Sequence, residues 1–142
     1  MGSNSDWHVS LHFVGDQIFR PGVIQHRGQD TAVIEISSTN LDASFPVRFD
    51  QFIAAINLLP EGYAEGDGSF GIVGPEGSWK LCGTIYERFD SIQYAELQGI
   101  CPNEWLIKLV KLLGADTGSC VVQNMQGGFF QSVAQFLTLE SE

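Results

Sequence analysis

Positive charge is scarce in this chain: 7 lysines and arginines stand against 17 aspartates and glutamates, a net charge of −10. Binding to nucleic acid rests on basic groups displacing counterions from phosphates, so this balance argues against a nucleic-acid partner. A basic protein would instead be attracted and steered. Long apolar runs are missing as well. Nowhere do about 18 apolar residues follow one another, the length a membrane-spanning helix needs. The opening MGSNSDWH has neither the basic start nor the apolar stretch of a secretion signal, so a cytoplasmic location is expected. Residues 1–5 read as a tag remnant or a frayed end, and residues 6–142 as one globular domain.

Cysteine is sparse and unpaired in pattern. Cys82, Cys101 and Cys120 form no C-x-x-C, and an odd count suits free thiols in a reducing compartment. Their even spacing is not a repeat, because the segments that follow them share nothing else. The strings G-x-S-x-G, H-E-x-x-H, H-R-D and D-F-G do not occur. No cofactor and no metal ion is implied.

What the chain does have is material for a core. Hydrophobic residues make up 44% of 142 residues, with ten phenylalanines and three tryptophans, ample for one domain without disulfides. The most apolar stretch, CPNEWLIKLVKLLG from Cys101 to Gly114, predicts a helix over 102–113. Pro102 suits a first helical position, Glu104 the first turn and Gly114 the stop. Trp105, Leu106, Leu109, Val110, Leu112 and Leu113 cover more than half its circumference, so it must be buried on most sides. Phe52, Ile53, Ile56 and Leu59 predict a second helix over 51–59, with Asp50 as its cap and Pro60 as its end. Phe129, Phe130, Val133, Ala134, Phe136 and Leu137 share one arc and predict a third over 129–139.

Period-two alternation marks the strands. Trp7, Val9, Leu11 and Phe13 oppose His8, Ser10 and His12. Arg20-Pro21-Gly22 reads as a turn, 23–26 and 31–37 as a hairpin, and Phe45, Val47 and Phe49 as an edge strand with Pro46. Residues 61–69 read as a Gly-rich acidic loop. Gly74-Pro75-Glu76-Gly77 joins strands at 70–73 and 79–87, with weaker strands at 92–97 and 120–125. The class is α+β: an antiparallel or mixed sheet of about six to eight strands, with three helices mainly on one face.

Several motifs suggest chemistry and are better explained structurally. Gly66-x-Gly68-x-x-Gly71 fits a phosphate-binding loop, but it leads into a hairpin rather than a helix, beside Glu61, Glu65 and Asp67. The same three acids lack the order of a calcium loop. His8 and His12, on a strand, stand about 13 Å apart at ~3.3 Å per residue, too far to share one ion, and both should face solvent. Cys101, at the expected start of the central helix, is the candidate reactive thiol, because a helix N-terminus lowers a thiol pKa. Glu61, Tyr63, Glu65, Asp67, Glu76 and Trp79 gather aromatic rings among acids around one hairpin, the chemistry a basic protein surface favours. The function expected is a small non-catalytic module that binds another protein, a basic one that it neutralises as antitoxins and immunity proteins do. The alternative is a small enzyme or ligand-binding domain using a cysteine or a pocket under the Gly-rich hairpin.

Overall fold

The computed structural model describes residues 4–140. Nine strands and three α-helices follow in the order β1 (Asn4–Phe13), β2 (Arg20–His26), β3 (Gln29–Glu35), α1 (Phe49–Leu58), β4 (Gly62–Ala64), β5 (Ser69–Val73), β6 (Lys80–Arg88), β7 (Ser91–Pro102), α2 (Glu104–Leu112), β8 (Cys120–Asn124), β9 (Phe130–Ser132) and α3 (Val133–Glu140). The strands form one sheet in the order β2-β3-β9-β8-β1-β7-β6-β5-β4. Every pairing is antiparallel, so the mixed option falls away, and the sheet exceeds the six to eight strands expected. The α+β class holds.

Alternation along the strands sorts the sheet into two unlike faces. Trp7, Val9 and Leu11 of β1 share one face with Leu97 of β7, Leu81 and Ile85 of β6 and Val122 of β8. All three helices pack there. Phe52 of α1 meets Phe70 at 5.2 Å between ring centres, Trp105 of α2 meets Trp79 at 5.7 Å, and Phe136 of α3 meets Trp7 at 6.0 Å. One core joins them, with Leu106, Leu109 and Val110 of α2 almost wholly enclosed. The opposite face carries His8, Ser10, His12, Tyr94, Glu96, Gln98, Cys82 and Thr84 by register, and no helix of the described residues covers it.

Several boundaries differ from the expected ones, each for a local reason. Pro102 is not the first residue of α2. It ends β7, paired with Asn4, and the helix begins two residues later at Glu104. The residue preceding α1 is Arg48, whose N–H donates to Gln51 Oε1 at 2.9 Å, while Asp50 lies inside the first turn. Phe45 and Val47 are held by single hydrogen bonds, to the Ile92 and Leu113 carbonyls, rather than in a strand. Arg20, Pro21 and Gly22 belong to β2, not to a turn, where edge position tolerates the proline. Residues 62–64 of the expected acidic loop form the outermost strand β4, and residues 130–132 form β9 before α3 begins. Strand β1 begins at Asn4, and residues 1–3 of the start read as a tag remnant or frayed end lie outside the described residues.

The β4 edge is closed to strand addition. The Asn57 side chain of α1 accepts from Ala64 N–H at 2.8 Å and donates to Ala64 C=O at 3.2 Å, occupying groups that an incoming strand would use.

Candidate functional site

The uncovered face is built as an aromatic ladder beside an acidic groove. Tyr86 and Tyr94 sit opposite each other on β6 and β7 and stack at 4.5 Å. Tyr94 in turn stacks on His12 of β1 at 5.4 Å, and His12 meets Phe130 of β9 at 5.9 Å. Such cross-strand ring pairs are the usual means of stiffening a sheet surface. Burial is the main reason the Tyr94 phenol is raised above its usual pKa, with Tyr86 and Glu96 adding to it.

His12 departs from expectation. It does not face solvent: its exposure is 9%, and desolvation lowers its pKa from 6.5 to about 4. Its Nε2 lies 2.8 Å from Ser10 Oγ, whose single proton either points at that nitrogen or is donated to Gln123 Oε1 at 3.4 Å. A serine hydroxyl within reach of a neutral imidazole is the first element of a nucleophile–base pair. Here Ser10 is only 3% exposed and no substrate atom can reach it, so the pair holds the sheet surface together.

The groove lies on the same face, toward the β4 edge. It encloses roughly 380 Å³ and is lined by Tyr63, Glu65, Ser69, Thr84, Glu96 and Gln98, with Cys82 beside them. Its shape depends on one glycine. Tyr63 on β4 is paired with Gly71 on β5, and any Cβ at Gly71 would come within 2.4 Å of the Tyr63 ring. The missing side chain lets the ring lie across the sheet. That gives the last glycine of the Gly66-x-Gly68-x-x-Gly71 pattern a packing role. Gly68 has a turn role: its φ is +99°, and its backbone packs against the Ile85 carbonyl.

Lys80 Nζ stands 5.8 Å from the centre of the Tyr63 ring. Its pKa is raised, chiefly by the neighbouring Tyr63 hydroxyl. In the turn between β4 and β5, Asp67 Oδ1 accepts from Ser69 Oγ at 2.6 Å and Ser69 N–H at 3.0 Å, which lowers the Asp67 pKa. Its charge is thereby fixed in place at the groove's end. One aromatic ring, two carboxylates and several neutral hydrogen-bonding groups line the groove, and Lys80 already sets a cation beside the Tyr63 ring.

The six residues expected at a partner site do not form one cluster. Tyr63 and Glu65 line this groove, and Asp67 adjoins it. Glu61 and Trp79 lie on the helix side, facing Trp105. Glu76 sits exposed in the β5–β6 turn in a left-handed conformation, φ +55°. The expected thiol site is corrected. Cys101 lies in β7 rather than at a helix N-terminus, it is fully buried, and burial pushes its pKa up to about 12. Cys120 is raised to about 12 for the same reason, whereas Cys82 is the exposed cysteine.

Glu96 and Thr84, central to the groove, were not among the expected residues. Their signal was present, since Tyr94, Glu96 and Gln98 alternate with Ala95 and Leu97. Alternation shows a polar face but not which strand lies beside it. Among the described residues, no group of three or more His, Cys, Asp or Glu could hold a metal ion, and no helix is long and apolar enough to cross a membrane. Comparison with protein-family models, with curated proteins and with solved structures gives no match.

Proposed function

We propose that the protein is a small non-catalytic binding module that takes a basic protein partner on the uncovered face of its sheet and neutralises it, as antitoxins and immunity proteins do. The observation that carries this reading is the convergence of Tyr63, Glu65 and Glu96 on one groove. The net charge of −10 supports it, because a field of that sign draws a cationic partner toward the surface before contact. Tyr63, 45% exposed on a packed strand, supplies the kind of rigid aromatic anchor that carries binding energy at interfaces.

The test begins with affinity capture from the native host and mass spectrometry, to identify a basic protein. Stopped-flow association is then measured at low and high ionic strength. Replacing Glu65 and Glu96 with Gln and Asp67 with Asn should leave the fold within about ±0.5 kcal/mol, since surface changes rarely cost more. Association should slow by roughly threefold to tenfold at low salt, and the remaining rate should depend less on salt. Equal rates and equal salt slopes for the variant and the wild type would remove this groove from the site.

One observation favours the alternative, a small enzyme or ligand-binding domain: the exposed Cys82 thiol lines the same groove. A small molecule retained there through purification would favour it.

A further inference from the structure

A second groove, of roughly 540 Å³, lies on the helix side of the sheet, where the β5–β6 turn approaches α2. Val73, Pro75, Trp79, Pro102 and Trp105 give it an apolar lining, and Glu61 and Glu104 add two exposed carboxylates. An adjoining hollow lined by Leu59, Lys111 and Leu112 borders it across Glu61, Trp105 and Lys108. The two indoles stand 5.7 Å apart and are tilted by 58°. Lys108, one turn beyond Trp105 on α2, holds its ammonium 4.4 Å from the centre of the Trp105 ring.

That contact is informative because the chain has only three lysines, and Lys108 lies over the most electron-rich ring type. It shows the Trp105 ring face receiving a cation, supplied by a flexible exposed side chain that costs entropy to hold still. A guanidinium is better suited to the place. It is planar, more weakly hydrated than an ammonium, stacks on indole and pairs with carboxylates through two parallel hydrogen bonds. Its aliphatic stem would lie against Pro75 and Trp79, as long basic side chains commonly do on apolar surface.

We propose that this groove is a second recognition site, separate from the one on the uncovered face, and that it takes an arginine side chain from an extended basic segment of a protein partner. The guanidinium displaces the Lys108 ammonium from Trp105 and pairs with Glu61 and Glu104. Lys108 then acts as a tethered competitor that the incoming arginine must replace.

The test follows the indole N–H signals of ¹⁵N-labelled protein while an acetylated, amidated peptide of alternating glycine and arginine is added. A matched peptide carrying neutral citrulline in place of arginine is the control. The Trp79 and Trp105 signals should shift saturably with the arginine peptide and stay still with the citrulline peptide, while Trp7, enclosed in the core, stays still with both. Lys108→Gln should bind the arginine peptide about two- to fivefold more tightly than Lys111→Gln, which makes the same charge change without freeing the ring. Glu61→Gln with Glu104→Gln should bind it less tightly than wild type. Static indoles at millimolar peptide, equal response to citrulline, or equal affinity of the two lysine variants would each overturn the proposal. The backbone amides of Tyr63, Thr84 and Glu96 report the other groove independently. Shifts there with static indoles would overturn this site and leave the uncovered face standing.

Discussion

Leu109→Ala is expected to destabilise the protein by about 2–5 kcal/mol, the range found when a large aliphatic side chain is removed from a core that cannot collapse around the gap. Leu109 is 1% exposed and lies midway along α2, the helix with the most enclosed surface. Its neighbours Leu106, Val110 and Leu113 belong to the same core as Trp7, Phe52 and Phe136, which reach it from β1, α1 and α3. Relaxation at this point would have to move several elements at once, so most of the cavity should remain. Lys111→Ala, on the exposed strip of the same helix, serves as the control and should stay within about 0.5 kcal/mol. Denaturant melts of the three proteins give the comparison. A loss below about 1 kcal/mol at Leu109 would mean that α2 is packed less tightly than its burial indicates.

Acid should weaken the fold through His12, by on the order of 3 kcal/mol between about pH 7 and pH 4. The direction follows from proton binding. In the unfolded chain the imidazole titrates near its ordinary 6.5, and in the folded protein burial lowers this to about 4. Between those values the unfolded state binds more protons, so stability rises with pH across the window and is lost as pH falls. Below about 4 both states are protonated and the dependence on this group ends. Carboxylates titrate in the lower part of the same range, so the informative quantity is a difference. His12→Gln keeps a hydrogen-bonding partner for Ser10 and removes the titration. Urea melts of both proteins at about pH 7, 5.5 and 4.5 should show the wild type losing more stability than the variant. Parallel curves, or a His12 ring titration by NMR centred near 6.5, would contradict the burial of this side chain.

The parts of the fold legible in the sequence are those with a long, clean period. Trp7, Val9 and Leu11 faced the core as their alternation required, and Leu106, Leu109 and Val110 did so at helical spacing. The β5–β6 hairpin was marked by Gly74-Pro75-Glu76-Gly77. What the sequence hid was short or depended on distant partners. Phe130, Gln131 and Ser132 run straight into α3, and three residues of strand cannot interrupt a helical period strongly enough to be seen. Gly62–Ala64 carries no run of β-branched residues; it becomes a strand because β5 and the end of α1 lie on either side of it. Pro102 and Cys101 matched a helix start equally well, and pairing with Asn4 and Ser5 drew them into β7 instead.

The site divides in the same way. Glu61, Tyr63, Glu65, Asp67, Glu76 and Trp79 are neighbours in sequence, yet Tyr63 pairs with Gly71 on the uncovered face, Glu61 lies before β4 begins, and Trp79 has the core-facing parity of Leu81. Tyr63 therefore joins Glu96, more than thirty positions away, while Trp79 joins Trp105 beneath the sheet. The burial of His12 has the same origin. Its alternation with Leu11 and Phe13 promised an exposed ring, and only the register with Tyr94 supplied the stacking partner that covers it.

Carboxyl footprinting tests the role of the uncovered face most directly. Exposed carboxyl groups are converted to amides with a carbodiimide and a small amine, in the free protein and in its complex with the captured basic partner, and the extent at each residue is read by mass spectrometry. Glu65 and Glu96 should lose most of their labelling in the complex, because docking on the groove encloses both. Asp16 and Asp42, exposed in loops away from the groove, should be labelled equally in the two states. Unchanged labelling at Glu65 and Glu96, with protection appearing elsewhere, would contradict the groove as the partner's seat.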